Sequence, residues 1–523
     1  MQGSSLAAPF RFARDTARRH CHRHETQFTF NLNSTTSIDN GGIVTGSFLY
    51  TLDGGADPAN LYFAQKSGSV VSRATADVNT TDSFTGAAGG AQQIRINTTT
   101  TGQTWTNTGD ISAQKGVLFV GADDYTISGG TFGNSIPGSG TQNTRGIIIA
   151  TWGAGTLTIT ANVTNGNGNS QLTKQGPGTL ILTNANTYPS ATNINGGVLS
   201  IAQIGNGGNN ASGLGISSNA ATNLNLDGGT LRYTGAAAST DRLFRLNADS
   251  GIDASGSGAL NWTNTGRYTV NSVAGPKTLT LKGTNTGANT LAGLLSDENA
   301  STGQTSLLKS GSGTWVLTNA NTYTGGTTVS AGLLLANNTT GSATGTGTVT
   351  VSAGTLGGTG TVGTVALASG GTLAPGNLAA TGTLTVSSLA LVGGGTINLS
   401  LIRDTLVTDF LAVVGNLDIS ALSSGSQLNL TLTGLSGTFD AESSHTFGSV
   451  VTFASLTGTF ATDKFNLDTS GFGQAFAGGF ALVQNGNALD LQYSPIPEPS
   501  ACAALIGAAA LLVTISRRKS SAN

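Results

Sequence analysis

Charge is scarce in this chain: 9% of its 523 residues are Asp, Glu, Lys or Arg, and the formal net charge is −2. That leaves no broad basic surface for nucleic acid and no acidic field for cationic partners. Cysteine is nearly missing, with Cys21 and Cys502 near opposite ends. Neither a disulfide framework nor a zinc site is expected from such a pair. A chain poor in Lys and Glu is also poor in good helix formers, and Thr, Ser and Asn take their place. An all-β fold is the natural expectation. The 77 Gly and 10 Pro fall short of the ~25–30% that marks low-complexity disorder. Disorder also tends to bring high charge, which is lacking here.

Residues 1–35 stand apart. Arg11, Arg14, Arg18, Arg19 and Arg23 cluster there, with His20, Cys21, His22 and His24. Only Leu6 to Phe10 is apolar before the arginines begin, so an ordinary secretory signal is not expected. His and Cys alternating on one arm would be crowded, poorly oriented ligands. A basic irregular arm without metal is the simpler reading.

From about residue 36 to 400 the texture is periodic. Runs such as Thr156-Leu157-Thr158-Ile159 alternate polar and apolar, the two-residue period of a half-buried strand. Turn signals such as Asp227-Gly228-Gly229 and Asn195-Gly196-Gly197 separate them. Residues 172–199 (LTKQGPGTLILTNANTYPSATNINGGVL) align without a gap on 307–334 (LLKSGSGTWVLTNANTYTGGTTVSAGLL), with roughly half the positions identical. Self-similarity of this kind is what stacked supersecondary units leave in a sequence. In both copies a Lys and two spaced Gly lead into a strand, and Asn-Ala-Asn-Thr-Tyr then turns the chain. Trp315 takes the place of Leu180, which points to core packing. The first copy has Pro189-Ser190-Ala191 where the second has Thr324-Gly325-Gly326, a changed turn rather than a lost rung.

These segments, about 172–202 and 307–337, resemble the autotransporter-associated β-strand repeat of bacterial surface proteins, K-x-G-x-G-T-x-x-L-x-x-x-N-T-Y-x-G-x-T-x-x-x-G-x-L. The resemblance implies a right-handed parallel β-helix. At roughly 20–25 residues per rung, residues 36–400 would make ~15–18 rungs and a rod ~70–85 Å long. Residues 401–494 are less repetitive and concentrate Phe, from Phe410 to Phe472. They read as a β-rich C-terminal cap, since an open solenoid end would expose sheet edges.

Residues 495–519 combine Pro497-Glu498-Pro499, an apolar stretch from Ala501 to Ile515, and the basic cluster Arg517-Arg518-Lys519. The stretch is short for a spanning helix, and the basic cluster would stay cytoplasmic. The order resembles the PEP-CTERM sorting signal. It implies a single C-terminal hydrophobic helix that holds an exported protein at the inner membrane. An exosortase-type transpeptidase as partner, and release to the surface or exopolysaccharide matrix, are implied as well. A tail of this kind is not expected on a self-transporting chain, which would end in an outer-membrane barrel.

Parallel β-helices also carry polysaccharide lyases and hydrolases, so a secreted carbohydrate-active enzyme is the alternative to a surface scaffold or adhesin. Such sites need converging acids or a basic residue with calcium. The candidates are Asp123 with Asp124, Asp404 with Asp409, Arg242 with Arg245, and His445. Asp123 and Asp124 would point to opposite faces of a strand, Asp241-Arg242 and Arg403-Asp404 read as turn or surface ion pairs, and His445 reads as a loop residue. No catalytic residue, cofactor or metal is expected. The long neutral surface, with Trp105, Trp152, Trp262 and Trp315 along it, suits adhesion to polysaccharide.

Overall fold

Alternating apolar residues in short strands need a second strand on each side and a shared interior. Parallel stacking of rungs supplies both. The structure, a computed structural model, describes residues 146–164, 171–208, 210–270, 275–298, 303–376, 380–402, 405–436, 444–472 and 478–495, with short strands and one bend between 49 and 133. The arm 1–35 with Cys21, the pair Arg403-Asp404, Cys502, Pro497, Glu498, Pro499, the apolar tail and Arg517, Arg518, Lys519 lie outside the described residues. Two compact units meet between Gly287 and Ala288, and each is described by itself.

In the first unit the parallel strands fall on successive faces. One sheet runs from Asp77–Val78 through Ile147–Thr151, Leu172–Gln175, Thr192–Asn195, Leu224–Leu226 and Arg245–Leu246 to Thr269–Val270. A second runs through Thr156–Ile159, Thr179–Leu182, Gly197–Ile201, Gly229–Tyr233 and Ser250–Ala254 to Lys277–Lys282. Shorter pairs on a third face include Ala238–Thr240 beside Leu260–Trp262. Leu172 lies beside Thr192, and Arg245 beside Thr269, spacings within the rung length expected above. A longer excursion, residues 202–223, separates Gly197–Ile201 from Leu224–Leu226.

The register explains the core. Leu157, Leu180, Leu199, Leu231, Ile252 and Leu281 follow one another across six rungs of the second sheet. All six are fully buried. At about 1.5–3 kcal/mol per buried aliphatic side chain, such columns hold the rungs together. In Lys277–Lys282 every second residue is buried, so the alternation seen in the sequence is the alternation of inside and outside.

The second unit repeats the plan. Thr305–Lys309, Thr327–Val329, Val349–Val351, Val365–Leu367, Leu389–Leu391, Asn416–Asp418 and Ser455–Thr457 form one parallel face. Asn289–Leu291, Thr314–Leu317, Leu333–Ala336, Thr355–Gly358, Thr372–Pro375, Thr396–Ile402, Leu428–Ser436 and Phe465–Asp468 form another. The parallel ladder therefore continues well past residue 400. On the third face the direction then reverses. His445–Thr452 pairs antiparallel with Ala488–Pro495, which pairs antiparallel with Gly478–Asn485. Among the described residues there is no α-helix, only the short 3₁₀ turns Ala221–Asn223 and Thr462–Lys464.

Candidate functional site

The repeat motif turns its polar residues inward, toward the backbone of the rungs. Lys174 and Lys309 are fully buried. Lys174 Nζ donates to the carbonyls of Gln175 (2.9 Å), Gly176 (2.8 Å) and Gly196 (3.1 Å). Lys309 Nζ donates to Ser310 (3.0 Å), Gly311 (2.8 Å) and Ala331 (2.8 Å). Each ammonium thus ties its own corner to the corner of the next rung. An ammonium has three protons, one for each carbonyl. Burial pushes Lys174 down to about 7 and Lys309 down to about 8. A glycine of the following rung serves the same corner. Gly332 has φ +64°, and a Cβ there would lie 2.4 Å from the Gly311 carbonyl oxygen and 2.6 Å from Lys309 Nζ. Only glycine takes this turn and leaves room for the lysine.

The Asn-Thr-Tyr element does the equivalent at the opposite corner. Asn186 Oδ1 accepts from Val163 N–H (2.9 Å) on the rung before, and its Nδ2 donates to Gly213 O (3.3 Å) on the rung after. Asn321 does the same between Leu295 N–H (2.8 Å) and Ala343 O (2.6 Å). Tyr188 and Tyr323 are wholly buried, and their hydroxyls meet Thr192 Oγ1 (2.7 Å) and Thr327 Oγ1 (2.6 Å). Burial raises both phenols above their ordinary value. The differing turn keeps its rung: Leu172 N–H donates to Ala191 O and Leu307 N–H to Gly326 O, at 2.9 and 3.0 Å. Every motif side chain described here is spent on the fold.

The catalytic candidates do not converge. Asp123 and Asp124 sit at a bend before the strand Tyr125–Ser128 rather than on opposite faces of a strand, because Asp124 Oδ1 caps Thr156 N–H of the next rung (2.7 Å). Asp409 is buried and accepts from the amides of Gly382 and Ser400, both at 2.8 Å, while burial raises it to about 6. Arg242 is not a surface ion-pair residue. It is 1% exposed and donates to Gly205 O, Ser217 Oγ and Gly215 O at 3.2, 2.9 and 2.8 Å, pinning the 202–223 excursion to the stack. Arg245 faces outward, half-buried, on the same rung. His445 begins the strand His445–Thr452, not a loop, and stacks on Tyr493 at 6.1 Å. Among the described residues no three His, Cys, Asp or Glu side chains gather as metal ligands.

Of the tryptophans, Trp262 and Trp315 are core, and Trp315 pairs with Leu334 in the ladder. Trp152 is exposed at a corner. The outward faces carry hydroxyls and amides in register: Thr126 beside Thr158, Thr156 beside Thr179, Asn193 beside Asn225, Asn429 beside Asn466. Some amides join across rungs, Asn225 Nδ2 to Asn193 Oδ1 at 2.8 Å and Asn466 Nδ2 to Asn429 Oδ1 at 3.0 Å. What the arrangement offers chemically is a flat, mostly neutral array of donors and acceptors.

Two sequence similarities stand beside this geometry. The Adhesin BmaC autotransporter of Brucella suis biovar 1 (strain 1330) is 39% identical over 254 residues, a match that covers 43% of this chain and 7% of that protein. The chain thus matches a small part of the length of this curated relative. The Passenger-associated-transport-repeat family model matches residues 172–201 and 307–336.

Proposed function

We propose that the chain is an exported, non-catalytic cell-surface or extracellular-matrix protein, an extended right-handed β-solenoid that serves as scaffold or adhesin. The observation that carries this reading is the division of labour in the rungs. Lys174, Lys309, Asn186, Asn321, Tyr188 and Tyr323 are consumed by the stack. The outward faces are left with hydroxyl and amide columns suited to polysaccharide. The acids expected of a lyase or hydrolase are tied to backbone amides where they are described, as at Asp124 and Asp409. The likeness to part of an adhesin supports the same direction.

The route outward belongs to the proposal as well. Pro497, Glu498 and Pro499 would be read by an exosortase-type transpeptidase. The apolar stretch before Arg517, Arg518 and Lys519, folded as a helix, would hold the chain at the inner membrane until release to the surface or an exopolysaccharide matrix. Fractionating cells that express the full chain or a chain lacking residues 495–523 tests this. The full chain is expected in membrane and surface fractions, and the shortened one is expected to lose membrane retention. Both forms remaining in the cytosol would overturn the reading.

A further inference from the structure

One corner of the first unit is built unlike those stacked on it. Between the first and second sheets the following rungs turn on Gly176-Pro177-Gly178, Gly196 and Asp227-Gly228. The turn between Ile147–Thr151 and Thr156–Ile159 is instead Trp152-Gly153-Ala154-Gly155. Trp152 is 36% exposed, whereas Trp262 and Trp315 are core. The backbone of this turn is held from both sides. Trp152 N–H donates to Phe119 O (2.8 Å) on the rung before, and Thr151 O accepts from Gly178 N–H (2.9 Å) on the rung after. Gly176 has φ +77°, and a Cβ there would lie 3.0 Å from Trp152 Cδ1. Glycine therefore takes the turn and leaves the indole its room. Gly176 and Gly178 both pack on residues 151–153, so the exposed Pro177 between them stands over the same turn.

Accessible polar groups flank the indole. Asp124, exposed, comes from the rung before. Its Oδ1 accepts from the N–H of Thr156, where the Trp152 turn ends, at 2.7 Å, and its Oδ2 has no partner among the described residues. Thr156 lies beside Thr179 at the start of the second sheet. Both alternate with buried Leu157 and Leu180, so their hydroxyls are on the outward side. The half-buried Asp123 adds a second carboxylate. Among the described residues of these turns and the strands that enter them, the one cation is Lys174, which is fully buried and bonded to backbone carbonyls.

We propose that the Trp152 corner binds a neutral hexopyranose unit of a β-linked glucan. The apolar C–H face of the sugar would rest on the open part of the indole, a rigid surface with large contact area and little conformational entropy to lose. A sugar hydroxyl would donate to Asp124 Oδ2, and hydroxyls of the adjoining unit would exchange hydrogen bonds with Thr156 and Thr179. A uronate or phosphate would bring its charge up to Asp123 and Asp124 with no accessible cation to offset them. A lipid surface would have to desolvate the same carboxylates. The inference rests on the reading of the chain as a surface protein that meets polysaccharide, and names the place and the class of glycan.

The test is binding of the purified full chain to laminarin, a neutral β-glucan, with polygalacturonate and phosphatidylcholine vesicles run beside it. Laminarin is expected to bind and to keep binding at high salt, since no ion pair carries the contact. Trp152→Ala is expected to weaken binding about tenfold or more, with an unaltered circular dichroism spectrum because the side chain lies at the surface. Trp152→Phe, which keeps a smaller ring, is expected to lose less than Trp152→Ala. Val414→Ala, at an exposed apolar residue of the second unit, is expected to leave binding unchanged. Undiminished binding by Trp152→Ala, equal binding to polygalacturonate or to the vesicles, or no binding of laminarin by the full chain would overturn the proposal. A chain that reaches the cell surface but ignores laminarin would sink this inference and leave the scaffold reading intact.

Discussion

At the scale of single residues the repeat is a set of plugs for backbone groups that the corners would otherwise leave unpaired. Asn321 satisfies one amide and one carbonyl on two different rungs. Asn321→Ala is therefore expected to lower stability by about 2–4 kcal/mol, because both partners stay buried without a bond. Urea unfolding reads this directly, and a loss within a few tenths of a kcal/mol would contradict it. The lysines give a pH signature. Their folded-state values, about 7 for Lys174 and about 8 for Lys309, lie below the unfolded value of 10.5. Between those limits the unfolded chain binds more protons than the folded one, so their contribution to stability rises with pH from about 7 to 10.5. The urea midpoint is expected to be higher at pH 9 than at pH 6, and Lys174→Met is expected to shrink that difference. Asp409 acts in the opposite sense at lower pH. Its folded value of about 6 against 3.8 unfolded makes its contribution fall as pH rises through that window.

Much of this was legible before the structure, and some was not. The matched Lys, Gly, Asn and Tyr of the two copies stand out as a pattern. Their inward direction does not, because lysine is almost never fully buried unless paired, and here the partners are carbonyls. Arg242 looked like a turn or surface residue because its partners lie 25 to 37 positions away along the chain.

At the scale of elements, the two-residue alternation was a sound guide to strands, and the inward columns of Leu and Ile follow from it. Where the ladder stops was less legible. Phe-rich residues past 400 still stack parallel as far as Phe465–Asp468. Apart from the short antiparallel pair of Thr396–Ile402 with Val407–Thr408, the reversal among the described residues of this unit comes at the hairpin Gly478–Asn485 and Ala488–Pro495. Its inner residues Leu489 and Leu491 are buried. Antiparallel pairing ends the stack because it offers no parallel template to a further rung. A chain lacking residues 478–495 is expected to self-associate through the bared edge of His445–Thr452, as sedimentation velocity would reveal. A monomer of unchanged stability would show that the hairpin closes nothing.

At the scale of the whole molecule, a chain with few charges builds stability from repeated apolar columns and buried amides. What it presents outward is an array of Thr, Ser and Asn. Incubation with a panel of polysaccharides is expected to yield binding without product release. Sustained release of sugar fragments would restore the enzyme reading on the same scaffold. The central claim, that this solenoid works outside the cell, is tested most directly by labelling intact cells with an antibody raised against residues 172–201. The account predicts labelling of intact cells equal to that of permeabilised ones. Labelling only after permeabilisation would contradict it.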